Sequence, residues 1–234
     1  MGRASFPRGS GLLACLALLA IAASSPAVAA RPGETLLPAA SRDVPAASGA
    51  PQTAIFAGGC FWGVQGVFQH VRGVLGTEAG YDGGAADTAS YETVSTGTTG
   101  HHEAVRVVFD PKLISYGALL RIFLSVATDP TDPDGEFPDR GEQYKSVVFA
   151  TNEAQRRAAA GYLDGLRAAD PFGRPIVTTV ATDRGFHPAE AEHQNFLLRH
   201  PDQPYIALYD QPKILALRRL FPAQYRASPI AAGG

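Results

Sequence analysis

The chain has 234 residues, 20 Lys+Arg against 22 Asp+Glu, and a formal net charge of −2. No basic block is present, which excludes nucleic acid as the main partner, because binding a phosphate backbone takes clustered cations. Its two cysteines are Cys15 and Cys60, and its one methionine is Met1.

Arg3 and Arg8 form a short basic segment, Gly11 to Ala23 is almost wholly apolar, and Ala27-Val28-Ala29 offers small residues for cleavage. That layout predicts a secretory signal over residues 1–29 and an exported protein, periplasmic or secreted. The apolar run falls short of the ~20 residues of a membrane-spanning helix, so no membrane association is expected after cleavage. A mitochondrial presequence is the competing reading, but its arginines would be spread along an amphipathic helix. Leu12-Leu13-Ala14-Cys15 resembles a lipoprotein cleavage box, placed early with most of the apolar stretch behind it. Loss of the leader removes Cys15 and Met1, leaving Cys60 as a lone thiol that cannot form an internal disulfide.

Residues 30–51 are rich in Ala, Pro, Ser and Gly and read as a flexible linker. Residues 52–225 have the length of one domain, and 226–234 read as a disordered tail. Thr53 to Ala57 is a short apolar run, expected as a buried strand. Gly58-Gly59 turns the chain, and Cys60 opens a helix in which Phe61, Val64, Phe68 and Val71 recur at helical spacing until Gly73. Val74 to Tyr81 is the next strand, ended by Asp82-Gly83-Gly84. Ala89 to Ser95 is a short helix, and Glu103 to Phe109 a strand closed by Asp110-Pro111. Tyr116, Leu119, Leu120, Phe123, Leu124 and Ala127 share one helix face behind Ser115 as N-cap. Asp129 to Gly141, rich in Pro, Asp and Gly, is expected as a loop. Then come a strand at Ser146–Ala150, a helix at Asn152–Ala169, a strand at Ile176–Ala181 and a helix at Ala189–Arg199. Strands interleaved with helices, some by short crossovers, predict an α/β (α+β) single domain, a two-layer sandwich of a mixed sheet with helices.

The chemistry points to Cys60. A thiol at a helix N-terminus gains from the partial positive charge and free N–H groups there, and both are expected to lower its pKa from ~8.5. The flanking glycines allow close approach, and Phe61-Trp62 supplies an aromatic wall. A small buried cysteine packing inertly is the alternative.

Gly59-Cys60-Phe61-Trp62-Gly63 resembles the signature of the A-type peptide methionine sulfoxide reductases. Further blocks follow in the order of that family: Ala79-Gly80-Tyr81-Asp82-Gly83-Gly84, Ser90-Tyr91-Glu92-Thr93-Val94, Thr99-Gly100-His101-His102-Glu103-Ala104-Val105, Asp139 to Ser146, Phe186 to Glu190 and His193-Gln194. The resemblance spans roughly Ala54 to Tyr205. It implies reduction of the S epimer of methionine sulfoxide, free or in proteins, through a cysteine sulfenic acid, in the repair of oxidised proteins. It implies Cys60 as nucleophile, Glu103 as the acid that protonates the departing oxygen, and Tyr91 and Tyr144 as donors to that oxygen. Phe61 and Trp62 would pack on the substrate methyl, with Asp139 and Gly59 in support. A carboxyl in a desolvated aromatic pocket stays neutral and can give a proton, and phenol donors stabilise charge growing on oxygen.

The chain departs from the family at Gln65, where Glu is usual, at Thr128 for His, at Glu142 for Thr and at Glu192 for Tyr. Pro204 to Gly234 also lacks the resolving cysteines of many relatives. An external thiol, a thioredoxin-like protein or a small molecule, would therefore have to regenerate Cys60. No bound cofactor is expected. No metal is expected either: His101-His102-Glu103 is followed by Arg106 where a paired-histidine zinc motif needs a second His. A monomer is the expected state. Two rivals remain: a cysteine hydrolase pairing Cys60 with His102 or His193 and Asn195, and a module that binds oxidised methionine without turnover.

Overall fold

The computed structural model describes residues 1–2, 35–45 and 49–231; the expected leader lies outside them, apart from Met1 and Gly2. Six strands form one sheet in the order β7-β6-β1-β3-β2-β8: β1 (Gln52–Ala57), β2 (Val74–Asp82), β3 (His102–Phe109), β6 (Val147–Ala150), β7 (Thr179–Thr182) and β8 (His187–Pro188). All neighbouring pairs are antiparallel except β6–β7, so the sheet is mixed as expected. The helices are α1 (Phe61–Gln69), α2 (Tyr91–Val94), α3 (Tyr116–Ile122), α4 (Glu153–Ala169), α5 (Phe196–Arg199) and α6 (Gln211–Leu220).

Side-chain alternation sorts the two faces of the sheet. Ala54 and Phe56 of β1, Val105 and Val107 of β3 and Val148 of β6 join Phe61, Val64, Phe68, Leu119 and Phe123 in the main core under the helices. Ile55, Ala57, Ala104, Val147 and Phe149 form a smaller cluster on the opposite face. Phe56 stacks between Phe68 and Phe123, which fixes α1 and α3 over the centre of the sheet. Ser115 and Asn152 cap α3 and α4 through side-chain oxygens, each accepting from the N–H three residues on.

Several expectations are corrected. The Asp129–Gly141 loop contains a small hairpin, β4 (Gly135–Glu136) with β5 (Asp139–Arg140). The strand expected at Ile176 begins only at Thr179. The Ala189–Arg199 helix is split: Ala191–His193 forms a 3-10 turn, and Asn195, at φ 57°, breaks the chain before α5. Buried Gln65 holds that break by accepting from the Asn195 N–H at 2.8 Å and donating to Gln194 at 3.1 Å. Helix α6 was not anticipated, although Ile214, Leu217 and Phe221 recur at helical spacing and are buried.

The linker and tail also differ from the reading of composition. Leu37 is fully buried, its N–H bonded to Ser125 and its carbonyl to Arg121, while Tyr162 donates to the Pro38 carbonyl and Asp43 accepts from the Gly117 N–H. At the other end, the Arg226 and Ile230 N–H groups donate to the carbonyls of His70 and Gln69. One Leu with a few backbone hydrogen bonds suffices to fix a segment whose composition could not form a core alone.

Candidate active site

Strand register places the acid beside the thiol. Ala57 pairs with Ala104, so Glu103 lies one step beyond the end of β1, alongside the Gly58-Gly59 turn. Gly59 takes φ 87°, and a Cβ there would stand 2.4 Å from the Glu136 Cβ, so only glycine suits this turn. Its N–H donates to the Tyr144 carbonyl at 3.0 Å, tying the turn to the segment that carries Tyr144. Cys60 follows as the N-cap of α1 and is 8 % exposed. Glu103, 3 % exposed, accepts the Phe61 N–H in the first turn of α1 at 3.0 Å.

The rest of the site closes around this pair. Glu190 accepts from the Tyr81 hydroxyl at 2.8 Å and from the Tyr91 N–H at 2.9 Å, which fixes α2 and its first residue, Tyr91, against β2. Tyr205 donates to Asp139, which draws the β4–β5 hairpin into the site. Trp62 donates from Nε1 to His193 Nδ1 at 3.3 Å, stacks on Phe196 with centroids 3.7 Å apart, and meets Tyr205 edge-on. The two signature aromatics therefore divide. Phe61 is 1 % exposed and backs the pocket against Tyr81 and His193, whereas Trp62 is half-buried and offers the accessible surface.

Burial first, opposed by the Phe61 N–H and reinforced by Asp139 and Asp210, pushes Glu103 up from 4.5 to about 8. That is the neutral acid the residue pattern called for. Tyr91 and Tyr144 are both raised, chiefly by burial and then by the Glu103 charge, so both phenols keep their protons. The thiol corrects the expectation. Burial, then the charges of Glu103, Asp210 and Asp139, raise Cys60 well above its ordinary value, and the Trp62 N–H at the helix start pulls only partly the other way. The helix N-terminus is real, but burial, joined by carboxyls from three distant parts of the chain, outweighs it.

All of Gly59, Cys60, Phe61, Trp62, Tyr91, Glu103, Asp139 and Tyr144 thus belong to one locus. Sequence reasoning missed Tyr205, Glu136, Asp210 and Lys213. The last two come from the C-terminal segment, and Lys213 forms an ion pair with Glu136 at 3.3 Å. His102 does not face the site as a hydrolase base would: it lines a surface groove with Phe149, Thr179 and Arg184. His193 accepts from Trp62 rather than serving sulfur.

A family model described as peptide methionine sulfoxide reductase matches residues 52–224. A Mesorhizobium japonicum protein, peptide methionine sulfoxide reductase MsrA 2, is 52 % identical over 179 residues, covering 76 % of this chain and 92 % of its own. The Thermus thermophilus MsrA is 42 % identical over 175 residues, covering 75 % of this chain and 98 % of its own. Among solved structures, reduced Mxr1 from Saccharomyces cerevisiae matches with a TM-score of 0.60 at 27 % identity, covering 65 % of this chain and 87 % of its own. Methionine sulfoxide reductase A of Corynebacterium diphtheriae gives 0.56 at 29 %, covering 67 % and 78 %. Since the family match runs from β1 to the end of α6 and includes every group placed around Cys60, the chain belongs to the peptide methionine sulfoxide reductase family.

Proposed function

We propose that Cys60 attacks the sulfur of methionine sulfoxide while Glu103 protonates the departing oxygen. The observation that carries this assignment is the buried Glu103 carboxyl, fixed on the N–H next to Cys60, where burial raises its pKa to about 8. A sulfoxide oxygen leaves poorly unless protonated, and a neutral carboxyl beside the nucleophile removes that obstacle. Tyr91 and Tyr144 donate to the oxygen as charge grows on it. The face of Trp62, backed by Phe196, takes the methyl and sulfur.

In net terms the thiol and the sulfoxide become a sulfenic acid on Cys60 and a thioether. Sulfur of the substrate gains two electrons, sulfur of Cys60 loses them, and the oxygen ends on the enzyme side. Two equivalents of an external thiol then return Cys60–SOH to the thiol, releasing water and a disulfide. A thioredoxin-like protein or a small thiol fills that role, because Cys60 is the only cysteine among the described residues. The substrates are free methionine sulfoxide and oxidised proteins, repaired in the exported compartment to which the leader directs the chain.

Purified S and R epimers of a blocked methionine sulfoxide, offered separately with excess dithiothreitol, test the assignment. Only the S epimer is consumed, Cys60→Ser consumes neither, and Glu103→Gln loses on the order of a hundredfold in rate at neutral pH. Equal consumption of the two epimers, or a Cys60→Ser variant that still turns over, overturns it.

A further inference from the structure

One buried titratable cluster supplies neither nucleophile, acid nor oxygen donor to the chemistry above. After Tyr205 the chain forms a π turn over Ile206–Asp210 that runs directly into α6. Pro212 has no N–H for the carbonyl four residues back, and its ring crowds that carbonyl, which widens the turn. The widened turn lays the Asp210 carboxylate against Gly63, in the turn of α1 that follows Cys60. A Cβ on Gly63 would stand 2.1 Å from Asp210 Oδ1. Asp210 is 1 % exposed, and neither of its carboxylate oxygens has a hydrogen-bond donor. Buried carboxylates are normally bonded or closely paired, so a bare one against the nucleophile's helix calls for a reason. The nearby cation is Lys213 on α6, itself largely but not fully buried and paired with Glu136. Glu136 in turn sits on Gly59, so the cluster bears on the glycines at either side of Cys60.

We propose that Asp210 is a positioning residue for the reaction at Cys60, its charge, anchored beside Lys213, keeping the thiol and the Glu103 carboxyl protonated until the sulfoxide enters. The proposal rests on Cys60 and Glu103 acting as assigned above. The groups that face Cys60 are Glu103 from β3, Asp139 from β5, Asp210 ahead of α6, and the phenols Tyr91, Tyr144 and Tyr205, with Lys213 the cation among them. Of these, Asp139 and Asp210 each act on both members of the catalytic pair, raising Cys60 and Glu103 together, but Asp139 accepts from the Tyr205 hydroxyl whereas Asp210 has no donor. Burial raises Asp210 itself to about 7, against the pull of Lys213, so its charge appears within the working range. A thiol held as S–H reacts slowly with oxidants that attack thiolate. That protects a nucleophile with no second cysteine among the described residues.

Alkylation of reduced enzyme with iodoacetamide, a neutral reagent, reads the thiolate fraction of Cys60 directly. At pH 8 Asp210→Asn should react on the order of tenfold faster than wild type, from the loss of one nearby charge. At pH 6, where Asp210 is mostly protonated in the wild type, the two should converge. Equal rates at pH 8 overturn the proposal. So does an acceleration that persists in full at pH 6, which marks a loosened pocket. The wild type gives an independent check: its logarithmic rate should rise with less than unit slope across pH 7, and unit slope throughout contradicts the idea. Methionine release by Cys60→Ser tests the underlying assignment separately, since alkylation reports charge at Cys60 whether or not the enzyme turns over.

Discussion

Replacing Glu103 by Gln keeps an oxygen for the Phe61 N–H but removes the ionisation, and its effect on stability should depend on pH with a defined sign. Glu103 is 3 % exposed and its folded-state pKa is raised from 4.5 to about 8, with burial as the leading cause. A raised carboxyl contributes fully below its unfolded value and loses that contribution as pH rises through its folded value. The loss therefore falls between pH 4.5 and about 8, where the unfolded chain has released the proton and the folded chain still holds it. At about 1.4 kcal/mol per pH unit the ceiling is about 5 kcal/mol, and water entry with side-chain relaxation reduces it to a few. Urea denaturation of both proteins at pH 4.5 and pH 8.5 measures this. Stability of Glu103→Gln relative to wild type should rise by about 2–3 kcal/mol between the two conditions, a sizeable share of a typical 5–15 kcal/mol. Asp82 and Asp210 are common to both proteins and largely cancel in the difference. A difference that changes by less than about 1 kcal/mol between the two conditions would show that Glu103 is solvated and ionised in the native state, and the acid role would fall with it.

The first half-reaction, methionine release in a single turnover, should be lost as pH rises past about 8, with Glu103 losing its proton; rapid-quench assays from pH 6 to 9.5 locate that limb. Leu37→Ala should cost about 3 kcal/mol, as for a core Leu, although Leu37 precedes the family match; thermal unfolding checks this, and a loss below about 0.5 kcal/mol would mean that the segment does not dock. Gly63→Ala puts a methyl group 2.1 Å from Asp210 Oδ1. It should cost about 1–3 kcal/mol by overpacking and accelerate Cys60 alkylation at pH 8 by expelling that carboxylate.

Much of the site could be read from the sequence because its parts are local. Gly59, Cys60, Phe61 and Trp62 are contiguous, and the β1–turn–α1 order follows from an apolar run, two glycines and helical spacing. Glu103 could be paired with Cys60 only through family resemblance, since the adjacency depends on strand register: Ala57 opposite Ala104 is a long-range fact. The ionisation of Cys60 went the other way for the same reason. A helix start is visible in the sequence at Cys60, whereas the burial that outweighs it, and the carboxyls at 103, 210 and 139 that add to that burial, arise only in three dimensions. Helix α6 was missed behind Pro212, and the break at Asn195 because Gln65 and Gln69 stabilise it from α1. Composition misjudged residues 35–45, where a single buried Leu37 decides.

Chemical trapping of Cys60 tests the central claim most directly. Reduced enzyme, freed of reductant and mixed with excess S-epimer substrate and dimedone, should release about one methionine per chain and stop. Mass spectrometry should then find a single dimedone adduct, on Cys60, and added thiol should restart turnover only in enzyme stalled without dimedone. Release of methionine while Cys60 stays an unmodified thiol would contradict the account.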